Sequence, residues 1–163
     1  MSTRPRKLRG SSRRRLLESG VAAVALSAFP RVVEGADGDE IRLRRLEEIE
    51  PEKYPWGWIR WLLSGQIDAK AEMTMGLVHF EPNQINTRHV HPNSAEYLHA
   101  LAGVSEHLIG DRWVELKPGD TLRIPKGVPH QARTKAESFR ALIVYDTPKR
   151  IMIPVSDRKP RLL

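Results

Sequence analysis

The sequence predicts an all-β protein, a small antiparallel barrel or sandwich preceded by an N-terminal arm. Past residue 70, short runs rich in β-branched and aromatic residues follow one another: MTMGLVHF, EYLHALAG, SEHLIG, RWVEL, TLRIP and FRALIVYD. Turn signals separate them, and no helical period runs between them. Strands this short and this regularly spaced suit a barrel or two packed sheets.

The turns have particular chemistry. Gly110-Asp111 sits between two runs and reads as a tight hairpin. Lys117-Pro118-Gly119-Asp120 places Pro and Gly where a type II turn wants them. Pro125-Lys126-Gly127 is a second forced bend, with Gly127 free to take positive φ. Before this region, residues 37–55 are highly charged and read as a short helix or an arm. WGWIRWLLSGQID then carries three of the four tryptophans, Trp56, Trp58 and Trp61, which read as core or interface rather than as a ligand platform.

At 163 residues the chain suits one domain. Its formal charge of +7 is concentrated at one end: residues 1–15 hold seven cations and no acid. Removing those seven from 27 Lys and Arg leaves 20, against 20 Asp and Glu. A neutral body argues against a nucleic-acid partner. The absence of cysteine excludes disulfides, thiolate metal sites and lipid attachment through cysteine.

Residues 1–30 place basic residues before a weakly apolar run, Gly20 to Phe29, and then Pro30. Ten residues are too few for a spanning helix, which needs about 20, so no stable membrane anchor is expected. The order of charge, apolar run and small residues fits an export signal better than a basic tail on a cytoplasmic protein. Ser12-Arg13-Arg14-Arg15-Leu16-Leu17 resembles the twin-arginine pattern, with Glu18 where that pattern usually has lysine. A cut could follow Ser27, Ala28 or Ala36, leaving a periplasmic or secreted protein. The expected organisation is therefore signal 1–30, arm 31–69, barrel 70–150 and tail 151–163.

The histidines point to chemistry. Alternation along a strand places His89 and His91 on one face and Val90 on the other. Inside a barrel two unpaired imidazoles are costly, and a divalent metal is an economical shared partner. Glu96, after the Pro92-Asn93-Ser94-Ala95 turn, offers a carboxylate, and His130 arrives just past the Pro125-Gly127 bend. His79, His99 and His107 read as surface or internally satisfied side chains, His99 being out of phase with Glu96.

The spacing of these residues resembles the two motifs of the cupin superfamily. Gly76 is followed by His89-x-His91, four residues, Glu96, six residues and Gly103. Gly119 is followed by five residues, Pro125-x-Gly127, two residues and His130, with fifteen residues between the motifs. The resemblance covers about residues 70–150 and implies a small antiparallel jelly-roll barrel. It implies that His89, His91, Glu96 and His130 bind one divalent metal. Two positions depart from the pattern. Asn83 lies nearer than Gly76 to where the first motif has glycine, and Thr134 stands where the second commonly ends in Asn.

A donor set of three imidazoles and a carboxylate suits Fe, Mn, Ni, Cu or Zn. The expected function is a small metalloenzyme for an oxygenated organic molecule, favouring a dioxygenase. The alternatives are redox-free lyase or isomerase chemistry, with Tyr97 or Tyr145 contacting substrate as base, and a non-catalytic ligand-binding or sensing protein. By analogy with barrels of this type, a homodimer is expected, with the tryptophan-rich segment packed across the partner.

Overall fold

A computed structural model describes residues 43–156, together with the backbone of a short strand pair, β1 (Val33–Glu34) with β2 (Glu40–Ile41). The export segment expected at 1–30 and the end of the tail lie outside the described residues. Eleven strands follow: β3 (Glu52–Tyr54), β4 (Gly57–Leu63), β5 (Thr74–Phe80), β6 (His89–Val90), β7 (Glu96–Ala102) and β8 (Ser105–Ile109), then β9 (Arg112–Leu116), β10 (Thr121–Ile124), β11 (His130–Thr134), β12 (Phe139–Tyr145) and β13 (Ile153–Pro154). Among the described residues the helical structure is one 3-10 turn, Leu46–Glu48, and no helix is long and apolar enough to cross a membrane.

The strands form two antiparallel sheets in a jelly-roll arrangement, as the sequence predicts. One runs β10-β7-β12-β5-β4-β3, the other β13-β6-β11-β8-β9. Alternation decides what lies between them. On β5, Thr74, Gly76, Val78 and Phe80 point inward; on β12, Phe139, Ala141, Ile143 and Tyr145 do. Val78, Phe80, Phe139, Ala141, Ile143 and Tyr145 form one apolar core with Ile59, Leu98, Ala100, Leu116, Ile124 and Ala132. Full burial of each large apolar side chain is worth about 1.5–3 kcal/mol.

The turn chemistry holds. Gly110 joins β8 to β9 at φ 56. At the next turn Asp120 N donates to Lys117 O at 2.9 Å, with Gly119 at φ 94. At the bend before β11, Val128 N donates to Pro125 O at 3.2 Å, with Gly127 at φ 75.

The expected start of the barrel at residue 70 is corrected. β3 and β4 belong to the six-stranded sheet: β4 pairs with β5 from Gly57↔Phe80 to Leu63↔Met75. The tryptophan-rich segment is thus a sheet strand within this chain rather than a separate arm. Its alternation is blurred because most of β4 is half-buried on both faces. Gly76 makes the pairing possible: a Cβ there would meet Ile59 Cγ2 and Trp61 Cε3, each at 3.0 Å. That glycine seats Trp61.

Candidate metal centre

Two sheets converge on the polar end of the interior. β11 pairs with β6 so that His130 faces His89, and β12 pairs with β7 so that Tyr145 faces Glu96. His91 follows β6 directly, and Gly127 N donates to its carbonyl at 2.9 Å, tying the Pro-Gly bend to the histidine pair. His89, His91, Glu96 and His130 each bring one ligand atom to within 4.8 Å of the others. All four side chains are buried.

The hydrogen bonds set the tautomers. Nδ1 of His89 contacts Thr87 O at 2.7 Å, that of His91 contacts Ile151 O at 2.7 Å, and that of His130 contacts Val128 O at 2.8 Å. A carbonyl only accepts, so each Nδ1 carries a proton and each Nε2 is turned toward the other members of the quartet. Backbone carbonyls thereby orient all three rings, as the surroundings of metal-bound imidazoles commonly do. His91 Nε2 is buried without a hydrogen-bond partner, although Glu96 Oε2 lies 3.2 Å away. A buried acceptor nitrogen aimed at a carboxylate is repelled unless something positive sits between them. The donor set therefore fits a divalent cation.

Charge supports this fit. Burial pushes the Glu96 carboxyl up, but the hydrogen bond from His130 overrides it and holds it well below the usual carboxylate range. Burial lowers His130, yet Glu96 raises it further and the net direction is upward. His89 is pushed down to about 4, mainly by burial and then by His130.

The quartet opens into a cavity of about 280 Å³. Its wall includes Tyr54, Trp56 and Phe80, whose rings stack in series at 4.8 Å and 4.4 Å between centroids. Trp56 thus takes the platform position that the sequence ranks below a core role. Trp58 stacks on His79 at 5.1 Å, away from the cavity.

The remaining candidates separate cleanly. Tyr145 lines the cavity, edge-on to His91 at 4.9 Å. Burial first, then Glu96, pushes its hydroxyl well above the ordinary value. That direction favours the protonated hydroxyl over the base expected from the sequence. Tyr97 is corrected too: it faces away from Glu96 on β7, with Arg123 Nε donating to its hydroxyl at 3.4 Å, and it does not line the cavity. His99 is exposed and contacts Thr121 Oγ1 at 2.9 Å, while His79 contacts Glu81 at 3.3 Å.

His107 is satisfied by Ser105 Oγ at 2.9 Å but also lines the cavity floor. Burial pushes it down to about 4, so it stays neutral. The alternation Ser105-x-His107 was its signal, since both point inward from β8. Arg150 also lines the cavity, and nothing local in the sequence marks it.

Both departures from the motif pattern have a structural reason. Asn83 sits at φ 58, where glycine is the usual occupant and Asn is the best-tolerated substitute. Thr134 Oγ1 donates to Glu81 O at 2.6 Å and accepts from Gln84 N at 3.1 Å, fastening that same turn.

Fold and site define a small jelly-roll protein with a candidate metal centre. Residues 76–145 match the protein family described as Cupin domain, so this stretch of the chain carries a cupin domain. It is 27% identical over 106 residues to Protein SchB of Streptomyces halstedii, covering 65% of this chain and 77% of that protein. Among solved structures it resembles the polyketide cyclase RemF of Streptomyces resistomycificus, at 21% identity and TM-score 0.62, over 71% of this chain and 86% of that one. Oxalate decarboxylase of Bacillus subtilis, which has Mn(II) centres, is similar at 21% identity and TM-score 0.65. There the match covers 76% of this chain but 35% of the decarboxylase. The enzyme of Lactobacillus farciminis matches at 18% identity and TM-score 0.62, over 68% of this chain and 34% of that one. The chain spans about a third of these decarboxylases.

Proposed function

We propose that this protein is a metal-dependent enzyme acting on a planar, oxygen-rich small molecule of the enol, phenol or polycarbonyl type, by a redox-free, proton-moving reaction. The observation that carries the reading is the buried three-imidazole, one-carboxylate quartet opening onto a cavity walled by Tyr54, Trp56 and Phe80. His89, His91, Glu96 and His130 would hold the ion. When bound, a divalent cation supplies Lewis acidity to a substrate oxygen.

The chain's own residues do the rest. The stacked rings offer a flat apolar face to a planar substrate and exclude water from it. Tyr145, kept protonated by burial and by Glu96, donates a hydrogen bond beside His91. His107 stays neutral at the floor. The likeness to a polyketide cyclase supports cyclisation, isomerisation or elimination. The dioxygenase expectation rests on the quartet alone, which also suits Fe.

The test uses protein purified without added metal. Elemental analysis should find one divalent ion per chain. Incubation with a catechol, a flavonol and a poly-β-carbonyl compound should show turnover without oxygen consumption. Oxygen uptake would favour the dioxygenase, and metal-free protein without turnover would overturn the enzyme reading. Export of the mature protein is likewise proposed, from residues 1–30; a reporter fused to residues 1–36 should cross the membrane, and one retained inside would refute it.

A further inference from the structure

We propose that Arg150 is a built anion subsite at the cavity wall, so that the molecule bound here carries a carboxylate, sulfonate or similar anionic group on its planar body. This inference deepens the functional reading above and rests on its cavity.

The side chains lining the cavity include one Lys or Arg, and it is Arg150. Its guanidinium lies over two rings, 4.9 Å from the Trp61 centroid and 5.3 Å from that of Tyr145. Stacking holds a guanidinium by its faces and leaves its N–H edge available for a planar anion. Glu52 is the carboxylate that shares the adjoining pocket with it. That acid is engaged elsewhere: it accepts from Trp61 Nε1 at 2.6 Å and from the Tyr54 hydroxyl. Among the described residues no carboxylate pairs with Arg150 within ion-pair distance. Glu96, which also lines the cavity, is bound to His130.

The segment is also held in place. Asn93 brackets Arg150, donating from Nδ2 to Lys149 O at 2.7 Å and accepting from Ile151 N at 3.0 Å. Ile151 O in turn accepts a hydrogen bond from His91 Nδ1 at 2.7 Å. The cation is thereby referenced to the quartet through two residues. A preorganised arginine beside an apolar wall selects an anion attached to a flat hydrocarbon body.

The test compares two probes that are poor metal ligands, naphthalene-2-sulfonate and its neutral methyl sulfone, binding to the metal-loaded full-length protein. The wild type should prefer the sulfonate by about tenfold. Arg150→Gln should abolish that preference while leaving the affinity for the sulfone and the metal content unchanged. Arg150→Lys should retain part of it. A sulfonate preference that survives in Arg150→Gln, or none in the wild type, would overturn the subsite while leaving the cavity reading intact. Binding of neither probe would overturn both.

Discussion

His130 Nε2 lies 2.9 Å from Glu96 Oε2 while its Nδ1 donates to Val128 O at 2.8 Å. An imidazole that commits Nδ1–H to a carbonyl can satisfy a carboxylate at Nε2 only with a second proton, or across a cation. The upward direction of His130 and the downward direction of Glu96 express the first arrangement. Metal binding would replace that proton, so the same geometry serves a protonated pair and a metal centre.

The turn at residues 81–84 should respond to backbone chemistry. Asn83→Gly should be neutral or slightly stabilising, because φ 58 suits glycine. Asn83→Ala should lower stability by about 1 kcal/mol, since a Cβ is strained in the left-handed region. Thr134→Val should cost a further 1–2 kcal/mol, roughly the loss of one buried hydroxyl with two hydrogen bonds. Urea unfolding of the three variants decides this. Equal stability of the Ala and Gly variants would refute the conformational reading.

Acid should destabilise the metal-free protein through His107. Its folded value, about 4, lies below the ordinary 6.5. The unfolded chain therefore binds the proton first, and the stability present above pH 6.5 is lost as pH falls toward 4. Between pH 7 and pH 5 this group should account for roughly 2 kcal/mol. In His107→Gln the urea midpoint should fall less over that interval. An unchanged slope would show that His107 is not buried as neutral imidazole.

The aromatic wall should govern planar ligands and not the metal. Trp56→Ala removes the middle ring of the stack with Tyr54 and Phe80. Affinity for a naphthalene probe should fall about tenfold or more, with metal content preserved. Undiminished binding would place the ligand elsewhere.

The sequence makes the quartet legible because its cues are local. Alternation puts His89 and His91 in phase, and the Pro125-Gly127 bend delivers His130 beside them. The cavity wall is not legible, because it depends on long-range pairing. Tyr54 and Trp56 reach the site only when β4 joins β5, and the seat for Trp61 is a glycine on another strand. Arg150 is placed by Asn93, far away in sequence. Charge and clustered tryptophans made that early segment resemble an arm, since β4 lacks one clean buried face.

Metal retention in ligand variants tests the central claim most directly. Wild type, Glu96→Gln and the His91→Ala, His130→Ala double variant would be purified without added metal and analysed by elemental mass spectrometry, with circular dichroism confirming the fold. The wild type should hold about one divalent ion, Glu96→Gln a reduced share, and the double variant none, because only two of the four donors remain. The wild type should also lose its metal as pH falls below about 6, where free imidazoles take up protons. Stoichiometric metal in a folded double variant would contradict the account.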